Sequence, residues 1–143
     1  MRYVLDASVA LRWFLLEEAS ERAEAVHRRL IDQPGSFAVP ELFAFEVFST
    51  MFRVHPRPRE AFEEGVLPLL RSGILRYPLT DGIARRAGRF VSLGLSGYDA
   101  SYAALAEELG AVWLTFDAEA HSRIEREGVS QDLNVRLPPD WQE

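Results

Sequence analysis

The sequence predicts an α/β fold in three layers (α/β/α), with a central, mostly parallel sheet of four to five strands between helices. Short apolar runs rich in β-branched and aromatic residues alternate with longer helix-compatible segments along the 143 residues. Two of these runs, at 2–6 and 111–116, lead into Asp6 and Asp117, and each is followed at once by a helical pattern. A chain of this length fits one domain, so we expect residues 1–143 to form a single domain.

The N-terminal half is predicted to contain two strands and four helices. Ser20 is a good N-cap, and Pro34-Gly35 stops the helix that Ser20 begins. Pro40 is predicted to open the next helix, and the prolines at 56 and 58 prevent that helix from running on. The predicted strands are 2–6 and 37–39, and the predicted helices are 8–17, 20–32, 40–54 and 59–70.

The C-terminal half continues the alternation. Thr80 and Ser96 are suitable N-caps, Gly110 is a suitable helix stop, and Asp117 can cap the last long helix. The predicted extended segments are 74–78, 111–116 and an edge strand at 134–137, and the predicted helices are 80–93, 96–110 and one that begins after 117.

Composition narrows the class of protein. With 48% apolar and 27% charged residues the chain has an ordinary globular composition, and no apolar run reaches the roughly 18 residues of a membrane span. Zero cysteines exclude disulfides, thiol catalysis and thiolate metal sites, and we expect a cytoplasmic protein without a membrane partner. A net charge of −6 disfavours broad phosphate binding but suits carboxylates gathered around a divalent cation.

All 16 basic residues are arginine. The absence of lysine excludes Schiff-base mechanisms, P-loops and the phosphoryl-accepting receiver domains that need a lysine beside the site. Phosphatases of the haloacid-dehalogenase type also begin with a strand that ends on aspartate, but they need a second aspartate two residues later, where this chain has Ser8.

Four acids are candidates for chemistry, and each also has a structural explanation. Asp6 and Asp117 follow strands and can cap the next helix, and Asp99 stands in the capping-box spacing after Ser96. Glu46 lies in the apolar helical segment 42–48, where an unpaired carboxylate costs several kcal/mol. Glu46 can therefore be explained either as a member of a structural ion pair or as a metal ligand inside a cleft.

Taken together, the four acids favour a metal site. Two parallel strands that end on aspartate place Asp6 and Asp117 at one sheet edge, where Glu46 and Asp99 can join them. Four converging carboxylates repel one another unless a hard cation lies among them, and oxygen ligands of this kind select Mg²⁺ or Mn²⁺. Such clusters serve phosphodiester cleavage.

Motifs spread along nearly the whole chain resemble one known family, the PIN-domain ribonucleases, and in particular the VapC toxins of bacterial type II toxin–antitoxin pairs. The resemblance lies in the order and spacing of short motifs at 4–14, 40–46, 95–106 and 113–117. It implies a PIN-like (Rossmann-like) sheet and an endoribonuclease that uses Mg²⁺ or Mn²⁺ to hydrolyse RNA.

The resemblance also implies roles for single residues and partners. Asp6, Glu46, Asp99 and Asp117 match the acidic quartet, with Asp6 and Asp99 as principal Mg²⁺ ligands and Glu46 on the metal or the attacking water. Ser8 and Thr115 match hydroxyl positions that orient the acids or touch phosphate, although a local backbone bond is an equally good explanation of each. The implied partners are RNA, a second copy in a homodimer and a small VapB-like antitoxin. The alternative is a non-catalytic PIN-like module that binds RNA or protein.

Aromatic residues are more numerous in the N-terminal half than one small core obviously needs. Core packing is the expected role of this set, and a surface for a dimer partner or an antitoxin is the alternative. The residues concerned are Trp13, Phe14, Phe43, Phe48 and Phe52.

Overall fold

A computed structural model describes residues 2–141 as a five-stranded, entirely parallel sheet flanked by helices, which confirms the predicted three-layer α/β architecture. The strand order is β3-β2-β1-β4-β5, with both strands that lead into catalytic candidates near the middle. The strands are Tyr3–Leu5 (β1), Phe37–Pro40 (β2), Leu75–Tyr77 (β3), Val112–Thr115 (β4) and Ser130–Asp132 (β5).

Within residues 2–141, eight α-helical segments connect and cover the strands. The predicted caps are confirmed, because the hydroxyls of Ser20, Thr80 and Ser96 each accept a hydrogen bond from a first-turn backbone N–H. Gly110 ends its helix with φ 62°, a left-handed conformation that glycine adopts without strain. The helices are Ala7–Phe14 (α1), Glu21–Asp32 (α2), Leu42–Val54 (α3), Pro58–Ala61 (α4), Leu67–Leu70 (α5), Asp81–Ser92 (α6), Gly97–Leu109 (α7) and Ala118–Ile124 (α8).

The helix predicted over 59–70 is a helical run interrupted by a wider turn. A π-helical segment, Phe62–Val66, separates α4 from α5. Within it, a Cβ atom on Gly65 would lie 2.5 Å from the ring of Phe14. Glycine therefore allows this segment to pack closely against the end of α1.

Two sequence predictions are corrected by the structure. The edge strand predicted at 134–137 lies instead at Ser130–Asp132, where Thr115 of β4 pairs with Asp132. Asp132 then accepts a hydrogen bond from the backbone N–H of Asn134, which turns the chain away from the sheet. Pro40 does not open a helix but is the last residue of β2, paired with Tyr77, and α3 begins at Leu42.

The sheet register brings the predicted acids to one edge. Leu5 pairs with Leu114, so the residues after β1 and the end of β4 are neighbours at the carboxyl edge. The core beneath this edge includes Val4, Leu5 and Trp113, all 0% exposed. Among residues 2–141, no helix combines the length and the apolar character that crossing a membrane requires.

Candidate active site

Asp6 is the most enclosed of the four candidate acids, only 7% exposed at the end of β1. Its Oδ2 accepts hydrogen bonds from the Ser8 backbone N–H (3.1 Å) and the Thr115 hydroxyl (3.3 Å), so Asp6 does cap α1. Its Oδ1 accepts a third bond from Trp113 Nε1 (3.1 Å), which no capping role requires. Burial raises the pKa of Asp6, and the bonds from Ser8, Trp113 and Thr115 oppose that rise.

Glu46 is half-buried on α3, and its Oε1 accepts a 2.6 Å hydrogen bond from the Tyr102 hydroxyl. Glu46 forms no ion pair within residues 2–141, so the ion-pair explanation that the sequence left open finds no support there. Burial raises the pKa of Glu46, and repulsion from Asp6 and Asp99 raises it further, against the Tyr102 bond. Glu46 therefore faces the other acids.

Asp99 lies in the first turn of α7, where its backbone N–H donates to the Ser96 hydroxyl (3.1 Å) in the predicted capping geometry. Its carboxyl group is half-buried, and its pKa is raised to about 6. Burial is the main cause, and the charges of Asp6 and Asp117 add to it. The side chain of Asp99 thus experiences the fields of two other acids at the edge.

Asp117 is the exposed member of the set. It caps α8, since its Oδ1 accepts from the Ala120 backbone N–H at 2.9 Å. The Asp117 backbone N–H donates to the Thr115 hydroxyl (3.0 Å), so Thr115 links Asp117 to Asp6. Ser8 also has a backbone role, accepting from the Phe116 N–H at 3.2 Å.

Comparison with known proteins identifies the family. The protein-family model of the PIN domain matches residues 3–127 of this chain. The chain is 33% identical over 117 residues to VapC ribonuclease Mb0985 of Mycobacterium bovis, covering 80% of this chain and 84% of the relative. The same figures hold for ribonuclease VapC9 of Mycobacterium tuberculosis. The chain belongs to the VapC group of the PIN-domain family.

Solved structures share the fold of this PIN domain. PAE2754 from Pyrobaculum aerophilum superposes with a TM-score of 0.68 at 23% identity, covering 94% of this chain and 91% of the other. VapBC-1 from nontypeable Haemophilus influenzae superposes with a TM-score of 0.63 at 19% identity, covering 94% of this chain and 99% of the other. FitAcB from Neisseria gonorrhoeae superposes with a TM-score of 0.66 at 18% identity, covering 86% of this chain and 93% of the other. At these identities the likeness concerns the fold alone.

The structure of this PIN domain brings the predicted acids to one edge, and it adds residues that the sequence did not reveal. Tyr102 and Trp113 bind two of the acids directly. Their positions in the sequence indicated only that both side chains could lie near the site. Tyr102 is one helical turn beyond Asp99, and Trp113 shares a strand face with Thr115. Nothing in the sequence indicated which acids these side chains would contact.

A third aspartate, Asp132, also ends a strand at this edge and is 7% exposed. Its Oδ1 accepts from the backbone N–H (2.8 Å) and the side-chain amide (2.9 Å) of Asn134. The same amide donates to the Phe116 carbonyl oxygen at 2.7 Å, next to Asp117. Asp132 therefore anchors the turn that carries Asp117.

The chemistry of the acids in this PIN domain fits a hard divalent cation. All the donors are carboxylate oxygens. Burial raises the pKa of both Glu46 and Asp99, and repulsion from neighbouring acids raises both further, an effect that a cation reverses. Within residues 2–141, no three Asp, Glu or His side chains are already arranged as ligands of one ion. In the structure Glu46 is turned to Tyr102 and Asp6 to its three donors. The assignment of the four acids as ligands stays a prediction.

The raised pKa of Asp99 predicts a pH dependence of the metal-free protein. Folded Asp99 holds its proton up to about pH 6, whereas an unfolded aspartate loses it near 3.9, so stability falls as pH rises between these values. Asp99→Asn lacks this titration, and its stability advantage over the wild type is expected to grow from about pH 4 to pH 6 and then stay constant. Urea unfolding in a chelator at stepped pH measures the difference, and an advantage that does not vary with pH would contradict the prediction.

Proposed function

We propose that this PIN domain is an endoribonuclease that depends on Mg²⁺ or Mn²⁺ and hydrolyses RNA phosphodiester bonds through Asp6, Glu46, Asp99 and Asp117. The observation that carries the proposal is the convergence of acids from separate elements at the carboxyl edge of the sheet, where burial raises the pKa of Glu46 and of Asp99 and the charges of other acids of the set raise both further. Open parallel sheets bind ligands at this edge. The names of the mycobacterial relatives, VapC ribonuclease and ribonuclease VapC9, support RNA as the substrate.

In the proposed mechanism, Asp6 and Asp99 would hold the cation, with Glu46 and Asp117 beside them. A bound divalent cation neutralises the carboxylates and polarises the phosphoryl oxygens of the substrate. Glu46, fixed through Tyr102, orients the attacking water and takes its proton. Attack of water at phosphorus forms the new P–O bond and breaks the bond to the 3′ oxygen, which takes a proton from solvent, so the products carry a 5′-phosphate and a 3′-hydroxyl.

The backbone around the acids supports this geometry. Thr115 is 0% exposed and bonds both the Asp6 carboxylate and the Asp117 backbone, so its hydroxyl orients acids rather than reaching out to phosphate. Ser8 is only partly buried and holds the β4–α8 turn through Phe116. We assign both hydroxyls to the organisation of the site.

An exposed aromatic cluster on α3 supports a protein partner. Phe48 and Phe52 are 45% and 43% exposed and stacked with ring centroids 4.4 Å apart, and Phe62 contacts Phe48 edge-on at 5.1 Å. Exposed apolar clusters of this kind mark protein interfaces. The cluster lies on the same helix as Glu46, although on a different face of that helix. We propose that a VapB-like antitoxin binds here and covers the site of a cytoplasmic, homodimeric toxin.

A non-catalytic binding module is the second candidate. It is favoured by the capping roles of Asp6 and Asp117, which would keep these acids in the fold without any reaction. The two candidates differ in one measurable respect, because only the enzyme cleaves RNA.

The purified chain, incubated with end-labelled RNA of mixed sequence, is expected to cleave it with Mn²⁺ or Mg²⁺ and to stop completely in excess chelator. Readdition of Mn²⁺ should restore cleavage, and addition of a cognate VapB-like antitoxin should inhibit it. Cleavage that persists in chelator would refute the metal mechanism. Binding of RNA without cleavage under any metal condition would favour the binding module.

A further inference from the structure

Two buried aromatic side chains connect the acids to each other through the protein interior. Tyr102 on α7 and Trp113 on β4 are 1% and 0% exposed and stack with ring centroids 5.9 Å apart and an interplanar angle of 14°. Each ring points its one polar atom at a different acid. The Tyr102 hydroxyl donates to Glu46 (2.6 Å), and Trp113 Nε1 donates to Asp6 (3.1 Å).

This arrangement constrains the separation of the two carboxylates. A stacked, fully buried pair cannot change rotamer without opening the core, so its two donors lie at fixed positions. Glu46 comes from a long, flexible side chain on a different helix, and among residues 2–141 the Tyr102 hydroxyl is its one side-chain donor. The aromatic pair therefore locates the free end of Glu46 relative to Asp6.

Hydrogen-bonded aromatic side chains elsewhere in the chain show what a purely structural role looks like. Tyr3, 3% exposed at the start of β1, donates to Asp140 (3.0 Å) and accepts from Trp141 Nε1 (2.7 Å). Trp13 donates its Nε1 hydrogen to the Ala23 carbonyl oxygen at 2.7 Å. Neither residue contacts a candidate ligand, so both serve as matched controls.

We propose that Tyr102 and Trp113 are positioning residues for the metal site, which set the separation and orientation of the Glu46 and Asp6 carboxylates through their stacked rings. The proposal rests on the proposed function, since it assumes that these acids bind a divalent cation. It goes beyond that function by assigning two residues of the core to metal affinity rather than to stability alone. Groups that orient metal ligands typically contribute 10–100-fold to affinity.

Tyr102→Phe keeps the stacked ring and removes the hydroxyl, and with it both the bond to Glu46 and a hydrogen bond from the Ala7 backbone. Calorimetric titration with Mn²⁺, without RNA and below the melting temperature, is expected to show about 10-fold weaker binding than in the wild type. Tyr3→Phe removes a comparable hydroxyl that bonds none of the four candidate ligands and should leave the Mn²⁺ Kd unchanged. Melting curves in chelator, recorded for both variants, report any loss of stability separately from the affinity.

Trp113→Phe tests the other half of the pair and does not depend on the Tyr102 variant being folded. It removes the bond to Asp6 and is also expected to weaken Mn²⁺ binding about 10-fold. Trp13→Phe removes an indole bond to a carbonyl oxygen outside the site, and its Mn²⁺ Kd should match that of the wild type.

The outcomes separate this inference from the proposed function. Wild-type Mn²⁺ affinity in Tyr102→Phe or in Trp113→Phe, with stability lowered as in the controls, would overturn the positioning role and leave the ribonuclease proposal standing. Weaker binding in all four variants would also overturn it, because the effect would then follow general stability. A wild-type protein that binds no Mn²⁺ would overturn the metal site itself.

Discussion

Asp99→Asn is expected to reduce RNA cleavage by about 10³-fold in saturating Mn²⁺, while the protein stays folded. The proposed site uses the cation to stabilise charge that develops on the transferred phosphoryl group, which is worth several kcal/mol, and each 1.36 kcal/mol is a factor of ten in rate. An amide in place of this carboxylate removes a ligand charge from the principal set. Single-turnover cleavage of end-labelled RNA measures the loss.

Asp99 is a cleaner target than Asp6 for this test. Asp6 receives donors on both oxygens, from Ser8 and Thr115 on one and from Trp113 on the other. In Asp6→Asn, the amide NH₂ group would face one of these N–H or O–H donors in the buried site, so one donor would lose its acceptor. Such an unsatisfied buried group lowers the stability by roughly 1–3 kcal/mol. Loss of activity in that variant would mix chemistry with misfolding.

The matched control for Asp99→Asn is Asp81→Asn. Asp81 also lies in the first turn of a capped helix, α6, but it is exposed and outside the acid cluster. Its substitution should leave cleavage unchanged. Asp99→Asn should in addition melt higher than the wild type in chelator at neutral pH, because it removes one of the mutually repelling charges. Full cleavage by Asp99→Asn would remove this residue from the mechanism.

The alternation of strands and helices was predictable because each element carries its own local signal. The hydroxyl caps at Ser20, Thr80 and Ser96 act within one turn of the chain, so their partners can be inferred from spacing alone. The sheet edge that gathers the acids follows from two parallel strands that lead into Asp6 and Asp117. These inferences need no knowledge of distant contacts.

Features that depend on distant contacts escaped the sequence. Strand β5 consists of Ser130, Gln131 and Asp132, and this polar sequence has no apolar pattern that would predict a strand. Pairing with β4 stabilises it. The bonds of Tyr102 to Glu46 and of Trp113 to Asp6 span 56 and 107 residues. Apolar periodicity predicts that such aromatic side chains are buried, but it does not specify where their single polar atoms point.

Trp113→Ala is expected to lower the free energy of unfolding by about 3–5 kcal/mol. Trp113 is 0% exposed in the central strand pair, so truncation leaves a large cavity beneath the sheet edge. The change also removes one of the donors to the buried Asp6 carboxylate. Since small domains unfold with about 5–15 kcal/mol, the variant should be close to the limit of stability. Urea unfolding in chelator measures the change.

Comparison with two further variants separates the cavity from the hydrogen bond. Trp13 is only partly buried, so Trp13→Ala should lose clearly less stability than Trp113→Ala, and equal losses would contradict the central place given to Trp113. Trp113→Phe fills most of the cavity but leaves the Asp6 bond unmade, so most of the stability it still lacks, expected at roughly 1–3 kcal/mol, comes from that bond and the rest from the smaller ring. If Trp113→Phe has wild-type stability yet binds Mn²⁺ more weakly, the indole N–H contributes to the arrangement of the acids more than to the fold.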